Sequence, residues 1–178
     1  MWDVNVGTVT AGSVSDSDTS SYTNPATTSA AVNPVHYEAE DLYLNGYGVE
    51  HKSFASDGAL IKLDSHQGHA TKNFDGLTGT YDIIVGYFDE NDGESHAEVF
   101  VGGDVEAAWD WAQDSDSNVA SESNFTLYGI DNVHIGSGEQ IKLSASRNEG
   151  EFGRFDFVKF VAADTITNDR IIEDHTVI

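Results

Sequence analysis

A series of short runs rich in Val, Ile, Phe and Tyr, each closed by a cluster of turn residues, limits this chain more than any other feature. They span 36–40, 59–63, 69–74, 80–88, 97–101, 105–111, 124–128, 140–145 and 155–161. Each is short for a packed helix, and helical periodicity is nearly absent, whereas alternation fits half-buried strands. Between the runs fall Ser56-Asp57-Gly58, Asp75-Gly76, Asn91-Asp92-Gly93, Gly102-Gly103, Gly136-Ser137-Gly138 and Glu149-Gly150. These residue types tolerate positive φ or bond their own backbone, as tight turns require. The spacing predicts an all-β domain over residues 35–162, a two-sheet β-sandwich of the jelly-roll type.

One charge stands where the pattern calls for an apolar side chain. Asp156 interrupts the last run, among Phe155, Phe157 and Phe160, where a lone buried carboxylate costs several kcal/mol. Far upstream, Glu38 and Glu40 are two residues apart, so strand alternation puts them on one face. Oxygen ligands from the first and last strands suit a calcium ion, which would remove the cost and tie the ends of the domain together. Three solvated acids in an acidic chain are the alternative.

With 178 residues the chain has room for one domain with appendages. Eight basic residues against thirty-one acidic ones give a net charge of -23, which opposes nucleic acid and anionic membranes as partners and favours cations. The absence of cysteine excludes disulfides, thiol catalysis and zinc-thiolate sites. No apolar stretch is long enough for a membrane helix, so no membrane insertion is expected. The start, Met1-Trp2-Asp3-Val4-Asn5-Val6, has neither the basic nor the apolar region of a secretory signal, so any export is expected to use a leader outside this sequence or another route.

Two flanks are distinct in composition. Residues 11–34 are dominated by Ser, Thr, Ala and Asn and read as linker, yet Trp2, Val4 and Val6 alternate with Asp3, Asn5 and Gly7 as in a strand with one apolar face. Residues 1–34 are therefore an extended amino-terminal arm, and 163–178 a short carboxy-terminal tail.

The segments Tyr37-Glu38-Ala39-Glu40-Asp41, Ser53-Phe54-Ala55-Ser56-Asp57-Gly58-Ala59, the run from Gly79 to Gly93, and Gly153-Arg154-Phe155-Asp156-Phe157 together resemble carbohydrate-binding modules of the family 6 and family 35 type. The resemblance covers residues 35–162 and excludes the flanks. It implies a calcium-stabilised jelly roll, extracellular or at the cell surface, that binds a polysaccharide and carries no catalytic activity. It also implies the calcium ligands: Glu38, Glu40, Asp156 and backbone carbonyls around Asp57.

Family members stack loop aromatics on a sugar and fix its hydroxyls with amides or carboxylates. Tyr47, between Gly46 and Gly48, is expected to be exposed. Val105, Ala107, Trp109 and Trp111 share one strand face, which argues for Trp109 in the core, while Trp111 at the strand end is open to either the core or the loop surface. Asp89, Asn91 and Asp92, with Asn148 in the adjacent turn, offer groups for hydroxyls or a second cation, or else form a solvated hairpin. Many family members carry an Asn where this chain has Arg154. Its guanidinium suits an acidic sugar or an internal ion pair with Asp89 or Asp92.

Weaker patterns add little. Asp114-Ser115-Asp116-Ser117-Asn118 opens like a helix-loop-helix calcium site but has Val119 for the required glycine, and Asn124-Phe125-Thr126 fits a glycosylation acceptor. No zinc-binding His pair and no nucleophile elbow occurs. Two functions compete: a glycan-binding module, and a filament subunit that polymerises by strand addition, with residues 1–10 of one copy joining the sheet edge of the next.

Overall fold

The computed structural model describes residues 33–112 and 117–163, which form eleven strands. They are β1 (Val35–Glu38), β2 (Tyr43–Asn45), β3 (Tyr47–His51), β4 (Ala59–Leu63), β5 (Gln67–Asn73), β6 (Gly79–Phe88), β7 (His96–Val101), β8 (Asp104–Asp110), β9 (Phe125–Ile135), β10 (Gln140–Ser146) and β11 (Arg154–Ala162). Single 3-10 turns occupy Ala39–Asp41, Ser56–Gly58 and Glu122–Asn124. The expected strand over residues 1–10, most of the linker, the tail beyond 163 and most of the Asp114–Asn118 motif lie outside the described residues.

All pairings between the strands are antiparallel and build two sheets, β3-β4-β11-β6-β9 with β1 also on β11, and β2-β5-β10-β7-β8. This is the expected all-β sandwich. Alternation decides which face is buried: Ile141, Leu143 and Ala145 of β10 meet Ala97, Val99 and Val101 of β7 on the inner side, while Lys142, Ser144 and Ser146 point out. Across the gap, Tyr81, Ile83, Val85 and Tyr87 of β6 and Phe155, Val158 and Phe160 of β11 complete one apolar core. A smaller cluster, Leu60, Phe88, Ala55 and Ala120, lies apart from it.

β11 is the hub. β6 runs along one edge for almost its whole length, and the other edge is divided between β4, which pairs with Arg154 and Phe155, and β1, which pairs from Phe157 to Phe160. Asp156 falls in the gap between β1 and β4, and the register with β6 shifts there.

Two expectations on local structure need correction. Glu40 is not on a strand face with Glu38: β1 ends at Glu38, and Glu40 sits in the following 3-10 turn. Trp109 is half-buried, stacked on Tyr128 with ring centroids 4.0 Å apart across the edges of the two sheets, and Val105 on the same strand is exposed. β8 is an edge strand, so its inward side meets solvent at one end.

Phe160 has no exposed surface and packs its ring against Phe74 at 5.1 Å and Tyr37 at 5.7 Å. Phe160→Ala is expected to cost about 3–5 kcal/mol. Urea unfolding of the two proteins checks this, and a loss below about 1 kcal/mol would show that the site can collapse around the deletion.

Candidate functional site

The gap in β11 gathers three acidic groups. Asp156 is buried and accepts a hydrogen bond from the backbone N–H of Ser56 at 3.0 Å, while the Ser56 hydroxyl donates to Glu38 Oε1 at 2.9 Å. Within the Ser56–Gly58 turn Asp57 takes the left-handed conformation at φ 50°. Asp is among the few residues that accept this region. His36 Nε2 lies 3.0 Å from the same Glu38 oxygen.

The electrostatics of this cluster are unfavourable to charge. Burial, with Glu38 and Glu40 nearby, pushes Asp156 up to about 6, and burial with the charges of Glu38, Asp41 and Asp57 raises Glu40 as well. Among the described residues no three His, Asp or Glu side chains stand at metal-holding separation. The cluster does offer a cation two buried carboxylate oxygens without a hydrogen-bond partner, Glu38 Oε2 and Glu40 Oε2. The donor set is all oxygen, which fits calcium rather than a softer ion.

A second cluster lies where β6 ends and β11 begins. Contrary to a solvated hairpin, Asp89 and Glu90 are buried, and Arg154 is buried beside them. Arg154 Nε donates to Glu50 Oε2 at 2.9 Å and its Nη1 pairs with Glu90, so the guanidinium is held in an internal ion pair by Glu50 and Glu90. Burial raises the Glu50 carboxyl, but Arg154 and Lys52 outweigh it and hold the group below its ordinary range.

Glu151, which sequence reasoning missed, fastens this region. It is fully buried, and its carboxylate accepts the backbone N–H of Glu90 at 3.1 Å and of Ser95 at 2.6 Å, pinning both ends of the 90–95 loop to the β10–β11 hairpin. Ser95 donates its hydroxyl to the Glu151 carbonyl at 2.9 Å and accepts from the Asn148 N–H at 3.3 Å. A Cβ on Gly93 would stand 2.2 Å from the Asn148 carbonyl, so only glycine allows the two loops to touch. The mark in the sequence was weak: Glu149-Gly150-Glu151 reads as an ordinary acidic turn.

The loops enclose an open depression of about 500 Å³ lined by Asn91, Asp92, Gly93, Glu94, Asn148 and Glu149. Asn91, Asp92 and Asn148 are thus brought together. Asn91 and Asn148 are exposed, and Asp92 Oδ1 is buried without a hydrogen-bond partner. The aromatic candidates are elsewhere. Tyr47 is 8% exposed, its ring packed on Phe155, because β3 pairs it with Leu63 over the core. Trp111 is fully buried and stacked on Tyr87 at 4.8 Å. A second depression of about 420 Å³ lies on the outer face of the five-stranded sheet, lined by Asn45, Gln67, His69, His96, Glu98, Ser144 and Ser146 among others. The Asn124-Phe125-Thr126 acceptor pattern is closed: Asn124 is buried, with its amide spent on Val119 and Ser121.

No protein-family model matches the chain. Among curated proteins it is similar to probable alpha-glucuronidase A of Aspergillus fumigatus, 29% identical over 138 residues, covering 70% of this chain and 16% of that protein. The corresponding protein of Neosartorya fischeri is 30% identical over 123 residues, covering 62% and 14%. The chain therefore spans about a sixth of the length of these relatives. Among solved structures it is similar to a family 35 carbohydrate-binding module from Clostridium thermocellum, with a TM-score of 0.58 at 17% identity, covering 73% of this chain and 98% of that one. A family 36 module solved with calcium and xylotriose gives 0.53 at 20% identity, covering 71% and 98%. The carboxy-terminal family 6 module of a laminarinase from Zobellia galactanivorans gives 0.53 at 15%, covering 72% and 99%. The chain has the fold of carbohydrate-binding modules of the family 6, 35 and 36 type.

Burial, together with the charges of Asp89 and Glu90, outweighs the two N–H bonds and pushes Glu151 up to about 8 from 4.5. An acid raised on folding gives stability that is complete below pH 4.5 and lost as the pH rises to 8, because in that window the folded protein holds a proton the unfolded chain has released. Glu151→Gln removes the titration. The unfolding free energy of the parent is expected to fall more steeply across this window than that of the variant, and equal slopes in urea titrations would count against it.

Proposed function

We propose that this domain is a non-catalytic, calcium-stabilised module that binds a glycan outside the cell. The observation that carries the reading is the rigid mounting of Asn91, Asp92 and Asn148 round one solvent-open depression, amides and a carboxylate being the groups that hold sugar hydroxyls. The fold shared with solved carbohydrate-binding modules supports it. Asp89 and Arg154 serve this site from beneath, as buried support for the loop, and Tyr47 and Trp111 serve it only through the core.

Calcium would be held by Glu38, Glu40 and Asp156, with carbonyl oxygen from the turn containing Asp57. It would supply the positive charge that the buried oxygens of Glu38 and Glu40 lack. The competing reading, a filament subunit that donates residues 1–10, gains no support from the comparisons.

Chelation tests the metal. At a free calcium concentration of about 100 times Kd, binding to the folded state alone stabilises it by about 2.7 kcal/mol, so excess chelator is expected to lower Tm by several degrees. Asp156→Asn should erase the difference between the calcium and chelator curves. Superimposable melts for the unmodified protein would remove the metal from the reading.

Titration calorimetry against neutral and acidic polysaccharides tests the ligand site. Asn148→Ala and Asn91→Ala, both at exposed side chains, are each expected to weaken binding by about 5- to 30-fold, the worth of one or two sugar hydrogen bonds, with Tm unchanged. Binding that ignores both variants but falls with His69→Ala would move the site to the outer face of the five-stranded sheet. No heat with any polysaccharide would overturn the glycan reading.

A further inference from the structure

We propose that β9 is the interface of a two-fold symmetric dimer, in which the strand pairs antiparallel with the same strand of a second copy about an axis at Leu127. Natural sheets blunt their free edges with charges, proline, bulges or brevity, because an open ladder pairs with whatever resembles it. Three edges here follow that rule among the described residues: β8 carries Asp104, Glu106 and Asp110, β3 carries Glu50, and β2 is three residues long. β9 does so only beyond its middle, at Asp131 and the register shift beside Asn132. It is eleven residues long, pairs only with β6 among the described strands, and from Phe125 to Ile130 contains neither charge nor proline.

The side chains on its outer face are apolar and open. Leu127 is 55% exposed and Phe125 is 37% exposed, two residues apart on the same face of the strand. Two chains of net charge -23 repel each other over most of their surfaces, so an uncharged strip is where a second copy approaches at least electrostatic cost.

The strip is also complementary to itself. With the axis at Leu127, Leu127 faces Leu127 of the partner subunit, Thr126 faces the partner's Tyr128, and Phe125 faces the partner's Gly129. An added Cβ on Gly129 would meet nothing within 4 Å, so the space above that glycine is open, and an aromatic ring opposite a glycine is a favourable antiparallel pair. Asp131, the first charge on the strand, lies four residues beyond the axis and so about 27 Å from its symmetry mate, but it faces the partner's Ser123, next to the partner's Glu122, an acidic contact that makes the pairing sensitive to salt. Such an interface is isologous and closes at two copies.

Pairing of antiparallel strands points the two 90–95 loops in opposite directions. If those loops bind glycan as proposed above, the dimer joins two polysaccharide chains, but the dimer itself does not rest on that reading. The test uses the full chain without glycan.

Light scattering after size exclusion is expected to give twice the monomer mass, with the dimer strengthened when salt is raised to roughly 0.5 M and repulsion is screened. Leu127→Lys places like charges face to face at the axis and should weaken association at least tenfold while leaving Tm unchanged, since the side chain is exposed. The chain has no cysteine, so Leu127→Cys offers an independent reading. Oxidation should link two copies through residue 127, whereas Val105→Cys on the β8 edge should not cross-link. A monomer at every concentration and salt, a dimer indifferent to Leu127→Lys, or no cross-link through 127 would overturn the proposal. So would a monomer that dimerises only when residues 1–32 are removed, which would show the edge covered by the chain's own arm.

Discussion

The constraint on which the rest depends is that β11 must serve two strands on one edge. β1 and β4 both run antiparallel to that edge, end to end, and neither pairs with the whole of it. A strand segment left between them has backbone and side chain to satisfy by other means. Asp156 occupies that position, takes the Ser56 N–H, and so draws the turn before β4 against β11. The same contact brings in Glu38 at the end of β1 through the Ser56 hydroxyl. Closure of the first strands on the last is therefore achieved by acids, and its electrostatic cost is concentrated at one point. Three carboxylates in low dielectric repel one another and lose hydration, each loss being on the order of several kcal/mol. Proton uptake by Asp156 relieves part of this without metal. A divalent cation relieves more, because it also satisfies oxygens that a single proton leaves bare.

What the sequence made legible follows from which interactions are local. Alternation and turn residues mark β4 through β8, β10 and β11, because half-buried strands must alternate and tight turns need Gly, Asn or Asp. β2 and β3 were not visible, since Tyr43-Leu44-Asn45 and Tyr47-Gly48-Val49-Glu50-His51 have no clean period, and their pairing is imposed by β5 and β4. The run expected over 124–128 stops short of β9, which extends to Ile135. In the fold Asn132 takes φ 59° at a register shift and the strand continues past it. Tyr47 shows why exposure was harder to read than strand content. A tyrosine between two glycines looks like a loop tip, but whether its ring meets solvent depends on Phe155, more than a hundred residues away.

The candidate site divides in the same way. Asn91, Asp92 and Asn148 are polar residues in turns, and their meeting could be anticipated from hairpin geometry. The support beneath them could not. Glu151 and Arg154 are charges in a chain full of charges, and nothing local distinguishes a solvated acid from one that closes a loop. Arg154 is one of eight basic residues and is held between Glu50 and Glu90, so removing the guanidinium leaves two carboxylates without their cation. Such a network adds little net stability over apolar packing but admits few alternative arrangements, and so fixes the loop above it in one conformation.

The strand directions separate this loop from the ends of the described chain. β6 leads from Tyr81, paired with Ala162 at the end of β11, to Phe88, paired with Arg154 at its start, and the 90–95 loop follows directly. Val35, near the first described residue, pairs with Phe160, so entry and exit lie together at the pole remote from the depression. The pole that carries the depression is thereby separate from the one where the described chain enters and leaves. The depression is open and polar, and no aromatic side chain lines it. If it holds a sugar as proposed, the contacts of one site are few, and a second site on the same polysaccharide network would act at an effective concentration set by geometry rather than by bulk supply. The dimer proposed through Phe125 to Ile130 would supply that second site along a stretch of β9 without charge, on a chain whose remaining surface is acidic.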